Sequence, residues 1–273
     1  MNYQTYKPHP DLQTIIKCYW TLEVPAQDNT QRQLILPDGC VDMCFILGDD
    51  IKRYTGGDQF IIQPRQMLLG QITDQFYIEP TGYVNTFAVR FYPYGFANFI
   101  NVPLHALSNK ETPLNELFGT EIAEQLSREI IQANSVNERI EITERFLFGR
   151  LSDKVTIENI VKSTIDAMVL SNGNKPLNAL LKGNVQKRRQ IEREFKKKIG
   201  VSPKQLCKAI RLQATLRSLL NQTTETLTDI AYENEYYDQS HFIKDFKEFT
   251  GITPKEFLAD DKMTLSALLY KRS

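Results

Sequence analysis

Basic side chains recur at helical spacing in residues 185–198, where they could hold the phosphates of a nucleic acid. Ile191 and Phe195 stand four residues apart and therefore share one face of a helix. The cations fall on the rest of the surface: Arg188, Arg189, Arg193, Lys196 and Lys197. Lysine and arginine mostly contact phosphates, and arginine also reads guanine. The segment predicts a helix that packs on one side and presents cations on the other.

A second segment, residues 238–249, combines the same features with groups that can read bases. Phe242, Phe246 and Phe249 follow helical spacing, and Asp238 is suited to the N-cap position. The side chains expected on the opposite face are Gln239, Ser240, Lys244 and Lys247. Amide and hydroxyl groups near a helix N-terminus can bond to base edges in a major groove, and the lysines can hold phosphates.

A cationic amphipathic helix is usually only a solvated face, so one such helix says little. Here the pattern occurs twice. Residues 195–206 read FKKKIGVSPKQL and residues 246–257 read FKEFTGITPKEF, offset by 51 positions. Two copies are too few to stack into a solenoid. The repeat therefore indicates a pair of equivalent small modules.

Start and stop signals define the helices of each module. Gly200 and Gly251 stand where a helix end needs a positive φ, and the pairs 202–203 and 253–254 supply an N-cap followed by proline. Upstream of the second cationic segment, residues 226–233 predict a short capped helix and then a brief turn. This order of elements is a helix-turn-helix layout.

The C-terminal residues resemble the signature of the AraC/XylS family of transcription regulators. The matching segments are 189–195, 230–231, 236–242, 246–247 and 251–254. The resemblance covers about 85 residues and implies two helix-turn-helix units that read successive major grooves of DNA. A single joining helix is expected at 203–222, which would span about 30 Å, close to the roughly 34 Å between grooves.

Three positions depart from the family pattern: Leu181, Lys187 and Glu235 stand where the family commonly has a small alanine, a capping serine and a turn glycine. Asn184 is the expected replacement cap, and Asn234 the expected left-handed turn residue. These departures leave a competing interpretation open. In it, a ligand-binding or catalytic N-terminal domain is joined to a degenerate, weakly DNA-binding module.

The formal net charge of zero hides an asymmetry along the chain. There are 33 Lys or Arg and 33 Asp or Glu in 273 residues. Residues 174–258 carry 16 basic against 10 acidic side chains, whereas residues 1–173 carry 14 against 21. We therefore expect DNA contacts to be confined to the C-terminal part.

Alternating apolar residues predict strands in the N-terminal half. Residues 85–92 place Phe87, Val89 and Phe91 on one face, and a Pro37-Asp38-Gly39 turn separates two apolar runs within 33–47. Further strands are expected at 17–24, 59–62 and 67–71, and helices at 95–100, 114–118, 121–132 and 136–151.

The predicted fold class is α+β. The N-terminal domain is expected to be mostly β and barrel-like, followed by helices, and the C-terminal domain to be all α. The predicted divisions are an effector-sensing domain (1–135), a helical linker for dimerisation (136–173), the double helix-turn-helix (174–260) and a tail (261–273).

The N-terminal domain also resembles the sensor of one AraC-type branch, through residues 19–20, 36–42 and 90–95. The resemblance implies effector sensing and dimerisation. Asp42 and Arg90 lie within apolar strands, where a charge needs a partner. Two interpretations stay open: a structural ion pair, or contact with a ligand in a pocket walled by Trp20, Tyr92 and Tyr94.

Catalytic and metal sites are not indicated. The three histidines, His9, His105 and His241, lack metal-ligand spacing, and the sequence has neither a phosphate-binding glycine loop nor a nucleophile elbow. Cys40 and Cys44 are interpreted as buried small hydrophobes, with a thiol sensor as the alternative. We expect no cofactor, no metal and no enzymatic activity.

The sequence has no signal peptide and no apolar run long enough to cross a membrane, so a cytoplasmic location is expected. The expected partners are double-stranded promoter or operator DNA, a small-molecule effector and a second copy of the chain as a homodimer. RNA polymerase is a further candidate partner, and no membrane contact is expected.

Overall fold

A computed structural model describes residues 1–28, 32–151, 159–175, 179, 181, 185–221, 226–234 and 236–259. The strands are β1 (Asn2–Tyr6), β2 (Ile16–Val24), β3 (Gln33–Ile35), β4 (Val41–Ile46), β5 (Ile51–Gly56), β6 (Gln59–Ile62), β7 (Gln66–Leu69), β8 (Phe76–Pro80), β9 (Val84–Phe91) and β10 (Glu111–Pro113). The helices are α1 (Leu114–Phe118), α2 (Thr120–Gln132), α3 (Val136–Phe148), α4 (Asn159–Leu170), α5 (Val185–Lys198), α6 (Pro203–Asn221), α7 (Leu227–Glu233), α8 (Gln239–Thr250) and α9 (Pro254–Ala259).

Two antiparallel sheets form the barrel-like N-terminal part. The six-stranded sheet has the order β1-β2-β9-β4-β7-β10, and the four-stranded sheet has the order β3-β8-β5-β6. All the predicted strands are present, which confirms the mostly-β assignment. The register pairs Asp42 on β4 directly with Arg90 on β9. That pairing brings together the two charges that sequence reasoning singled out.

Period-two alternation gives the larger sheet two different faces. Phe87, Val89 and Phe91 of β9 belong to a buried cluster that includes residues of α1, α2 and α3. Thr86 and Arg90 point to the other side, into the space between the two sheets. The helices therefore cover one face of the larger sheet, and the barrel interior occupies the other.

One predicted helix is wrong. Residues 95–100 form only a short 3-10 turn, Phe96–Asn98. Gly95 has helical φ and ψ, and the turn ends at Phe99, whose φ is −112°. Phe96 and Phe99 are instead fixed in the core beneath β9, where the rings of Phe91 and Phe96 lie 5.2 Å apart.

The predicted helix caps that the structure describes in the C-terminal part are confirmed. Gly200 and Gly251 have φ values of +93° and +74°, and Asp238 accepts a hydrogen bond from the backbone of His241 at 2.7 Å. Ser202 and Thr253 begin α6 and α9 in capping boxes, bonding with Gln205 and Glu256 respectively. The repeat in the sequence is thus a repeat of helix ends.

The N-terminal loop 36–40 contacts α6 directly. Gln213 on α6 donates from Nε2 to the backbone oxygen of Pro37 at 2.8 Å. A side-chain carbon on Gly39 would lie 3.1 Å from Leu206 of the same helix. Because Leu212 and Leu216 share a buried cluster with Leu36, the barrel and the C-terminal helices pack together over this part of α6.

Candidate DNA-binding face and ligand cavity

Helix α5 separates its apolar and cationic residues as the sequence predicts. Ile191 and Phe195 are fully buried, in a cluster with Val161 and Ile165 of α4. The five cationic residues predicted to face DNA are all exposed: Arg188, Arg189, Arg193, Lys196 and Lys197. The Arg193 side chain is 75% exposed. The helix therefore offers a cationic surface on a rigidly packed base.

Helix α8 has the same construction. Phe242 and Phe246 are buried, while Phe249 is half-buried under the ammonium of Lys208, which lies 5.2 Å from its ring centre. The four residues predicted to face DNA are exposed: Gln239, Ser240, Lys244 and Lys247. Sequence reasoning missed Tyr237, which precedes the helix and is 87% exposed. The signal available in the sequence was the place of Tyr237 within segment 236–242, which resembles the family signature.

Helix α6 joins the two cationic helices. It has 19 residues and is therefore about 28 Å long at 1.5 Å per residue, close to one turn of B-form DNA. Arg211 of α6 forms an ion pair with the buried Asp245 of α8, and its guanidinium lies over the Tyr236 ring. Burial and the paired charge fix α8 against the joining helix.

The structure describes one of the three departures from the family pattern, Leu181, which is buried in the cluster that holds Ile191 and Phe195 of α5. It also describes Asn234, the expected left-handed turn residue. Asn234 ends α7 with φ −96°, so it does not take the left-handed conformation that the sequence suggested. Its side chain is buried and donates to the backbone oxygen of Ile230 at 2.9 Å. The proposed cap Asn184, the Lys187 side chain and Glu235 lie outside the described residues.

A cavity of about 110 Å³ lies between the two sheets. Both sheets supply its apolar wall, which includes Trp20, Leu36, Cys44, Met67, Phe76 and Ile78. The charged side chains in the described part of the lining are Asp38, Asp42 and Arg90. The barrel interior is therefore apolar space with one polar corner, the arrangement typical of small-molecule sites.

Arg90 binds two carboxylates in that corner. Its Nε and Nη2 atoms donate to the two oxygens of Asp42 at 3.0 and 2.8 Å, and Nη2 lies 3.1 Å from Asp38 Oδ2. Trp20 Nε1 also donates to Asp42, at 3.3 Å. Burial alone would lower the pKa of Arg90, but Asp42 and Asp38 outweigh burial and hold that pKa well above its usual value. Sequence reasoning missed the part played by Asp38, although the Pro-Asp-Gly turn marked its position.

The five residues proposed as ligand contacts separate into two groups. Trp20, Asp42 and Arg90 line the cavity. Tyr92 and Tyr94 lie outside its lining and stack on each other, with ring centres 6.1 Å apart. Both follow the end of β9 at Phe91, so strand alternation no longer directs their side chains inward, and they pack in the cluster formed by α4, α5 and α6.

Two free thiols also line the cavity. Burial raises the pKa of Cys40 to about 12 and holds that of Cys44 well above its ordinary value. Both are therefore neutral thiols near pH 7, which suits packing rather than nucleophilic chemistry. No group of three or more metal-ligating side chains occurs in the part of the chain that the structure describes. No helix within those described ranges is long and apolar enough to span a membrane.

Two family models match separate parts of the chain. Residues 4–113 match a family described as a domain of unknown function, and residues 186–260 match a helix-turn-helix domain. No curated protein matches the chain.

Among solved structures, ToxT from Vibrio cholerae is similar at 15% identity over 97% of this chain and 100% of ToxT, with a TM-score of 0.48. ToxT bound to (E)-4-(8-methylnaphthalen-1-yl)but-3-enoic acid gives 14% identity over 95% of this chain and 99% of ToxT, with a TM-score of 0.48. The match over residues 186–260 assigns this part of the chain to a helix-turn-helix domain family.

Proposed function

We propose that the protein is a sequence-specific, DNA-binding transcription regulator, controlled by a small molecule that binds in the barrel cavity. The observation that carries the proposal is the pair of exposed polar and cationic helix faces, on α5 and α8, joined by the single helix α6. Each face stands on fully buried aromatic or aliphatic residues, so both are held rigidly. This arrangement suits two successive major grooves on one side of a duplex.

Selection of bound sequences from random duplex DNA tests the proposal, followed by titration of the selected duplex at several salt concentrations. Binding should discriminate against unrelated duplexes and should weaken as salt rises, because phosphate contacts release counterions. The double variant Arg189→Ala, Arg193→Ala should lose the selected sequence. Lys110→Ala removes an exposed cation from the N-terminal part and should bind as the parent does.

The competing function is a ligand-binding or catalytic N-terminal domain with a degenerate helix-turn-helix module. It predicts that the selection yields no preferred duplex, and that the salt dependence is the same for every sequence. Full-strength binding by the Arg189, Arg193 double variant would contradict the role given to α5.

The finer parts of the proposal follow from the DNA function. We expect a cytoplasmic protein without enzymatic activity. We also expect a homodimer, because once one copy is bound the second copy binds its half of the operator intramolecularly, which raises the overall affinity. A regulator that activates would also contact RNA polymerase at the promoter. Sedimentation of the full chain, with and without the selected duplex, tests the homodimer.

A further inference from the structure

The side chains that line the cavity carry more negative than positive charge, and this imbalance indicates what they bind. Asp38, Asp42 and Arg90 are the charged side chains of the described lining, so the two carboxylates share a single guanidinium. Arg90 and Asp42 are 5% and 6% exposed. An uncompensated charge at the edge of a buried apolar space is costly, and a positive ligand group would offset it.

The hydrogen bonds identify Asp38 as the carboxylate with room for a ligand. Both Asp42 oxygens bond to Arg90, and one of them also accepts from Trp20. Asp38 accepts from the backbone of Cys40 through Oδ1, at 2.9 Å, and meets Arg90 through Oδ2. A carboxylate oxygen can accept about two hydrogen bonds, so each Asp38 oxygen keeps acceptor capacity beyond these partners.

The rest of the lining specifies a small apolar body. A volume of about 110 Å³ is of the order of the roughly 150 Å³ apolar cavity that accepts a benzene ring. Trp20 contributes an aromatic ring to the wall beside the polar corner, and aromatic faces attract cations. An anionic ligand would instead meet two carboxylates, with Arg90 already committed to both.

We propose, on the basis of the proposed function, that the effector is a small apolar molecule with one protonated amine, which donates to Asp38 while its apolar part fills the cavity. Asp38 lies between Pro37 and Gly39, the two residues through which loop 36–40 meets Gln213 and Leu206 of α6. The amine therefore binds one residue away from the contact with the helix that joins the two DNA-reading faces.

The test compares three ring-sized probes on the full chain: 2-phenylethylamine, 2-phenylethanol and 3-phenylpropionate. Calorimetry should show that the amine binds most tightly, the alcohol more weakly and the carboxylate most weakly. Thermal melting should show that the amine stabilises the protein most. Asp38→Asn should reduce the amine affinity at least about tenfold, the effect of losing a charge-assisted hydrogen bond, and leave the alcohol affinity nearly unchanged. Asp58→Asn, at a 93% exposed carboxylate, is the matched control and should bind as the parent does.

Preference for the carboxylate, equal affinity for all three probes, or no binding of the amine would each overturn the proposal. The comparison on the parent protein stands even where Asp38→Asn fails to fold. DNA binding by the parent protein is measured separately. If the protein binds a specific duplex but does not bind the amine, only the proposed ligand class is rejected. Absence of specific duplex binding rejects the proposed function instead.

Discussion

The buried ion pair between Arg90 and Asp42 should be essential for the stability of the barrel. Arg90→Met removes the cation from two carboxylates, Asp42 and Asp38, while Asp42→Asn leaves Arg90 paired with Asp38. Breaking a buried pair by removing one partner costs about 3 to 5 kcal/mol. We therefore expect Arg90→Met to lower the free energy of unfolding by about 5 kcal/mol, the upper end of that range. Asp42→Asn should lower it by about 3 kcal/mol, the lower end.

Replacing both members with apolar residues should recover part of that loss. The double variant Asp42→Leu, Arg90→Met leaves neither the guanidinium nor the Asp42 carboxylate in the protein interior. Because the two residues are in contact, the losses of stability in the single variants do not simply add. Recovery should be incomplete because Asp38, whose side chain is 14% exposed, keeps an unpaired charge. The exposed pair Arg65–Asp50, at 55% and 45% exposure, is the control, and Arg65→Met should cost less than about 1 kcal/mol.

Urea unfolding followed by tryptophan fluorescence is the appropriate assay, because the chain has one tryptophan and that residue, Trp20, bonds to Asp42. The signal therefore reports on the barrel itself. A chain of this size should also melt about 2 to 4 °C lower for each kcal/mol lost. An unchanged urea midpoint for Arg90→Met, or a double variant less stable than both singles, would refute the reasoning.

Three further predictions concern the DNA face, the thiols and the domain boundary. Arg193→Ala should weaken specific duplex binding by about 1 to 3 kcal/mol, whereas Lys197→Ala should weaken all duplexes alike and reduce the salt slope by about one unit; equal loss across sequences for both would contradict base reading by Arg193. Cys40, with its pKa raised to about 12 by burial, should react with iodoacetamide at pH 8 about a thousandfold more slowly than in the urea-unfolded chain, and labelling at the unfolded rate would favour a thiol sensor. A fragment of residues 159–273 should fold and bind the selected duplex more weakly than the full chain. The shorter fragment 174–273 lacks buried α4 residues and should melt at a lower temperature than 159–273. Equal melting temperatures of the two fragments would show that α4 is dispensable.

The C-terminal helices could be predicted from sequence because their signals are local. A glycine at positive φ, a capping aspartate and a proline at the first helical turn each act within a few residues of the chain. The structure places Gly200, Gly251 and Asp238 in those roles. Among the described residues of this region, the left-handed conformation expected of Asn234 is wrong. Its amide donates to Ser218 of α6, sixteen residues away, and no local pattern reveals that contact.

The barrel was harder to predict because its weaker strands depend on their neighbours. Strand β1 reads NYQTY and is mostly exposed, so it lacks the apolar content that marks a strand, and it forms by pairing along β2. Strand β10 is only three residues long and pairs with β7. The cavity depends on register between strands distant in sequence, so Asp42 and Arg90 could be selected as buried charges but Asp38 could not.

Helix α6 contacts the barrel loop, α5 and α8 through neighbouring side chains, and this limits how freely the two halves of such a protein can be exchanged between relatives. Leu206 and Gln213 fit the loop of the barrel, Arg211 fits Asp245 of α8, and Leu206 also packs with α5. A chimera that joins this barrel to another helix-turn-helix pair would bring a foreign α6 and lose the fit to loop 36–40. Retaining Leu206, Leu212, Gln213 and Leu216 in the foreign helix should preserve the junction, so compatibility between halves would be decided by a few side chains on one helix.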